Sequence, residues 1–140
     1  MFERRILTDL AAWAREEKPK PLVLRGARQV GKTTVVELFA RQFEHFVHLN
    51  LEKHEHAALF TRGLSSHDLL QSIALTAGTP LLTGKTLLFL DEIQESRQAV
   101  SMLRYLYEER PGLHVIAAGS LLEAMLDTMQ GAFPVGRVRY

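Results

Sequence analysis

The chain has 140 residues, 46% of them apolar and 24% charged, the composition of one globular domain rather than of a disordered or fibrous chain. Seventeen basic residues against sixteen acidic ones leave a net charge of +1, which neither selects nor excludes a nucleic-acid partner. With no cysteine in the sequence, disulfides, thiolate metal sites and cysteine nucleophiles are excluded. Met1-Phe2-Glu3-Arg4-Arg5 is followed by no unbroken apolar run, and no stretch approaches the ~18 apolar residues of a membrane span. The expectation is a soluble, cytoplasmic protein with no membrane partner.

Residues 2–17 place Ile6, Leu7, Leu10, Trp13 and Ala14 at helical spacing, so an amphipathic helix over 1–18 should dock on a core spanning 19–140. Pro19 and Pro21 end that helix. Leu22-Val23-Leu24 reads as a buried strand. Residues 34–43 read as a helix with Val35, Val36, Leu38 and Phe39 inward, and residues 46–50 as a second strand. Ser65-Ser66-His67-Asp68 has the form of a capping box opening a helix at 69–76. Thr86-Leu87-Leu88-Phe89-Leu90 is the most apolar strand candidate. A helix at 96–109, a turn at Pro111-Gly112, a strand at 113–118, a helix at 121–129 and a strand beginning at Val135 complete the pattern. Near-continuous apolar strands alternating with helices predict a parallel sheet covered on both faces. A chain ending inside an apparent strand reads as a fragment.

Gly26-Ala27-Arg28-Gln29-Val30-Gly31-Lys32-Thr33 matches G-x-x-x-x-G-K-[ST] at every fixed position, directly after a strand and before a helix. Glycines let the backbone wrap closely round phosphates and turn its N–H groups inward. The helix N-terminus, with Thr34 in its first turn, adds free donors and the positive end of a dipole. Lys32 brings a charge to the β- and γ-phosphates, and the Thr33 hydroxyl is a magnesium ligand. The expected ligands are therefore ATP, or a related nucleoside triphosphate, and Mg2+. A chance glycine-rich turn is the bland alternative, and the strand–loop–helix context argues against it.

The strand at 86–90 ends in Asp91-Glu92. Beside a phosphate loop, Asp91 is placed to hold the magnesium shell and Glu92 to orient and deprotonate an attacking water. Without that loop, a solvated strand end or helix cap would explain the pair equally well.

Residues 20–34, 87–94, His114-Val115-Ile116-Ala117-Ala118-Gly119-Ser120 and Phe133-Pro134-Val135-Gly136-Arg137-Val138 together resemble the AAA+ ATPases. More closely, they resemble a prokaryotic group usually called AAA family ATPases or ATP-binding proteins. The resemblance covers residues 4–140. It implies a three-layer αβα P-loop fold with a five-stranded parallel sheet in the order 5-1-4-3-2. It also implies further C-terminal segments in family members. By the same resemblance, Ser120 matches a sensor of the γ-phosphate, although Ser120-Leu121-Leu122-Glu123 is also a helix cap. Asn50 matches a residue that restrains the catalytic glutamate, or is an ordinary strand-end asparagine. Arg137 matches an arginine finger for a neighbouring subunit of a homo-oligomer, or is an exposed structural arginine, and Arg139 is the weaker competitor.

Other features read as structure. His54-Glu55-His56 lacks a third ligand at metal spacing. His114 reads as a satisfied sheet residue. Trp13 reads as a core anchor that could also flank an adenine, and Arg104, Tyr105 and Tyr107 as part of a packing helix. The leading expectation is Mg-dependent ATP hydrolysis coupled to conformational change. The alternatives are a nucleotide-gated binding module and a DNA-associated ATPase, although nothing in the sequence itself selects a nucleic acid.

Overall fold

A computed structural model describes residues 2–25, 31–120 and 135–139, with backbone alone at 2, 3, 25 and 137–139. The expected helix at 121–129, and the loop residues Gly26, Ala27, Arg28, Gln29 and Val30, lie outside these residues. Helix α1 (Phe2–Ala14) leads to strand β1 (Leu22–Arg25), then α2 (Lys32–Ala40), β2 (His45–Asn50) and the short α3 (His54–Ala58). There follow α4 (Ser66–Ala77), β3 (Thr86–Asp91), α5 (Arg97–Glu109), β4 (His114–Ala118) and β5 (Gly136–Arg139). Single 3-10 turns occupy Leu59–Thr61 and Ile93–Glu95.

The strands form one parallel sheet in the order β2-β3-β4-β1-β5. Read from its other edge, this is the order the family resemblance implies. Strands β2, β3, β4 and β1 carry described side chains along most of their length. β5 is seen mainly through its backbone pairing, from Leu22↔Gly136 to Arg25↔Arg139.

Every residue of β3 and β4 is buried because both faces of the sheet are covered. On one face Leu87, Phe89, Ile116, Ala118, Leu22 and Leu24 meet Ile6, Leu10 and Trp13 of α1 and Val35, Val36 and Phe39 of α2. On the other, Leu88, Leu90, Val115, Ala117 and Val23 meet Leu69, Leu70 and Ile73 of α4 and Val100, Leu103 and Leu106 of α5. Alternate residues of each strand therefore feed opposite layers, as the pleat requires. Each fully buried large side chain contributes about 1.5–3 kcal/mol.

The helix ends correct several sequence expectations. α1 stops at Ala14 rather than Glu17, because its last turn tightens and the Trp13 indole N–H donates to the Lys20 carbonyl at 2.7 Å. α2 begins at Lys32 and ends at Ala40, so Thr34 lies within the helix and Phe43 beyond it. Leu38, expected inward, is only half-buried. α4 begins three residues early, since Ser65 is its N-cap and accepts from the Asp68 N–H at 3.2 Å. Gly78, at φ +66°, closes it in the left-handed conformation that glycine adopts without strain. Ser96 caps α5 by accepting from the Ala99 N–H. Among the described residues, no helix is long and apolar enough to cross a membrane.

Candidate functional site

Parallel strands deliver their carboxyl ends to one edge of the sheet, and ligands of such folds bind there. β1 leads towards Gly31 and the start of α2, and β3 ends at Asp91. Gly31, at φ +88°, takes a turn that a side chain would strain, and Lys32 opens α2 immediately after it. Glu92 takes φ +50° and ψ +43°, the one non-glycine residue with positive φ among those described. That left-handed conformation costs about 1–2 kcal/mol, and Ile93, wholly buried beyond it, anchors the turn. β3 therefore ends by swinging the Glu92 side chain back towards the lysine.

Lys32, Asp91 and Glu92 are all buried, at 3%, 6% and 4% exposure. The Lys32 Nζ lies 2.6 Å from Asp91 Oδ1 and 3.5 Å from Glu92 Oε2. Asp91 Oδ1 also accepts from the Glu92 backbone N–H at 2.9 Å. His48 Nε2, on the neighbouring strand, sits 3.4 Å from Asp91 Oδ2, and its ring stacks on Phe89 at 4.8 Å. Burial works to raise the Asp91 pKa. The nearby His48 and Lys32 side chains, the Lys32 charge and the Glu92 N–H outweigh it and hold the carboxyl below its usual value. Gln94 Nε2 donates to Glu92 Oε1 at 3.0 Å. One cation thus faces two carboxylates in a buried site, which is costly to build for stability alone.

The predicted residues Lys32, Asp91 and Glu92 are brought together. Thr33 is half-buried and Thr34 exposed in the first turn of α2, beside Lys32. Ser120 is exposed just beyond β4. The preceding Gly119 packs on the turn after Glu92, where an added Cβ would lie 3.1 Å from the Ile93 nitrogen. The Arg137 backbone pairs with Val23 in β5, and the side chains of Arg137 and Arg139 lie outside the described residues. Asn50 pairs with Asp91 across the strands, but its Oδ1 accepts from the Glu52 N–H at 3.0 Å in a local turn. This is the strand-end alternative. His56 accepts from the Asn50 N–H through Nδ1, so it too serves that turn. Trp13 is buried against Phe39 and His114.

Two participants escaped the sequence reading. His48 shares a strand face with Phe46 and Asn50, and only the β2–β3 register brings it to Asp91. Gln94, two residues past Glu92, turns back only because Glu92 is left-handed.

Residues 18–140 match the family model of the AAA domain. The chain belongs to the AAA domain family. Among solved structures, this AAA domain is similar to C. elegans PCH-2 at 19% identity and a TM-score of 0.57, covering 98% of this chain and 42% of that one. It is also similar to Hsp104 in a closed state with ATPγS and FITC-casein, at 20% identity and a TM-score of 0.63. That match covers 100% of this chain and 26% of Hsp104. At such identities the likeness is one of fold, and this chain spans less than half the length of either. No match was found among curated proteins.

Proposed function

We propose that this AAA domain binds ATP with Mg2+ and hydrolyses it, with Glu92 orienting and deprotonating the attacking water. The observation that carries the reading is the buried Lys32 ammonium held against both Asp91 and Glu92 at the carboxyl ends of the strands. Family membership and the P-loop sequence support it, as does the fold shared with an Hsp104 structure that carries an ATP analogue.

The donor set suits magnesium. Asp91 is held ionised, Thr33 directly follows Lys32, whose ammonium meets Asp91, and hard oxygen ligands are what this ion takes. No cluster of three or more His, Cys, Asp or Glu exists among the described residues, so the ion would rest on Asp91, Thr33, phosphate oxygens and water. Bound there, Mg2+ supplies charge compensation on the phosphate oxygens.

The chain's own residues do the rest. Lys32 meets both carboxylates, its single positive charge offsetting one of their two negative charges. A triphosphate seated on residues 26–34 would draw the ammonium towards its β- and γ-oxygens, freeing Glu92 Oε2. Glu92 then accepts a proton from water as that oxygen bonds to the γ-phosphorus, and the β–γ bridging oxygen leaves with ADP. Ser120 would report on the γ-phosphate, and Arg137 of one copy would reach the site of another in a homo-oligomer. The cycle would couple nucleotide state to conformational change.

Phosphate release by the wild type and Glu92→Gln, measured beside equilibrium ATP binding, tests the reading. Loss of release with binding retained is the expected result. Equal release from both variants would leave a nucleotide-gated binding module. Stimulation of turnover by DNA would move the assignment to a DNA-associated ATPase.

A further inference from the structure

The structure assigns Gln94 as a positioning residue that sets the Glu92 carboxylate for water attack, with Gly119 providing its seat. This inference rests on the ATPase reading above. Glu92 is gripped from two sides, by Lys32 at Oε2 and by the Gln94 amide at Oε1, 3.0 Å away. The amide orientation follows from chemistry, since a carboxylate accepts only from the NH2 end of a carboxamide.

The two grips differ in what they do to a base. Lys32 is a cation, and it is the group a triphosphate would draw away. Gln94 is neutral, so a phosphate has no charge on it to attract, and it leaves the negative charge on Glu92.

The other end of the amide explains Gly119. Gln94 Oε1 is buried without a hydrogen-bond partner and abuts Gly119. A Cβ at position 119 would collide with Gln94 Oε1 and stand 3.2 Å from Gln94 Cδ. The bare glycine therefore leaves the space that lets the carboxamide reach Glu92. It also links that carboxamide to the residue immediately before Ser120, so a shift at the end of β4 would be felt at Glu92.

The test is steady-state ATP hydrolysis, equilibrium ATP binding and thermal unfolding for the wild type, Gln94→Ala, Gln94→Glu, Gly119→Ala and the Gln94→Ala/Gly119→Ala double variant. Gln94→Ala should lower kcat about 10- to 100-fold, the scale of a misplaced catalytic group, while the ATP dissociation constant and Tm stay near wild type. Gln94→Glu keeps the shape but sets a second carboxylate against Glu92, and should lower kcat at least as far. Gly119→Ala should lower kcat in the wild-type background and lower it less once Gln94 is alanine, the remainder being its crowding of the Ile93 nitrogen. Wild-type kcat in Gln94→Ala, or additive losses in the double variant, overturn the inference alone. A fall in kcat matched by weaker ATP binding or a lowered Tm marks a structural role and also overturns it. A wild type without Glu92-dependent turnover overturns the ATPase reading and this inference together.

Discussion

β3 and β4 lie side by side, and each buries ionisable chemistry at one of its ends, but in opposite ways. At the carboxyl end of β3, the Lys32 ammonium lies within 3.5 Å of both the Asp91 and the Glu92 carboxylate. At the amino end of β4, His114 is buried as a neutral ring. Its Nε2 meets the Ala14 carbonyl at 2.9 Å, and Trp13 and Phe43 pack against it edge-on, each at 5.1 Å. A carbonyl accepts only, so Nε2 carries the proton and Nδ1 is left buried without a partner. Desolvation holds the His114 pKa below its usual 6.5, despite the Ala14 carbonyl and Glu16 working the other way. One end discards charge and gains packing. The other keeps charge at a cost in stability, and on the proposed function that retained charge is what meets a phosphate.

The sharpest way to break this contrast is to neutralise one group at each end. Glu92→Gln should lower kcat for ATP by about 10²–10⁴-fold, the contribution of a positioned base, with ATP still bound. His114→Gln should leave kcat near wild type, and a phosphate-release assay reads both. Comparable losses from the two would show that the site extends through the sheet. Next in size is Lys32→Met, which leaves Asp91 and Glu92 buried without their cation. Breaking a buried pair from one side costs about 3–5 kcal/mol, so a clear fall in the urea midpoint should accompany the loss of ATP binding. A variant with unchanged stability would mean that water already reaches the two carboxylates.

Much of this arrangement was legible in the chain because it depends on short spacings. The Gly31-Lys32-Thr33 end of the phosphate loop, the apolar run closing in Asp91-Glu92, and the serine cap at 65 are each set by neighbours in sequence. What could not be read depends on contacts between distant residues. His48 meets Asp91 only through the pairing of β2 with β3. Gln94 meets Glu92 only because one residue turns left-handed, a conformation no propensity favours for glutamate. The early end of α1 has the same kind of origin, since Ala14 and Trp13 are held by His114 and Lys20 from elsewhere in the fold. Asn50 shows the reverse case: its position suggested a partner for Glu92, and its side chain is taken by Glu52, two residues on.

The amino-end arrangement can be sharpened by Trp13→Phe, which keeps an aromatic ring but loses the indole donor to the Lys20 carbonyl. A net hydrogen bond is worth about 1 kcal/mol, so a loss of about that size is expected in urea unfolding. No loss would mean that water replaces the indole at Lys20.

The smallest effect separates the two ends by pH. Both His114 and Asp91 have folded pKa values below their unfolded ones, so in each case the unfolded chain binds more protons and stability rises with pH. The windows differ. The His114 contribution is complete above 6.5 and is lost as pH falls from there through its folded value. The Asp91 contribution holds until pH drops below 3.8 and is lost as it falls through the folded value of that carboxyl. Urea midpoints of the wild type should therefore decline in two stages on acidification. His114→Phe should flatten the first stage and leave the second, because a phenyl ring fills the aromatic nest without a proton to bind. Asp91→Asn should do the reverse. If His114→Phe leaves the first stage intact, the neutral ring is not what the amino end of β4 selects, and the contrast between the two ends reduces to packing.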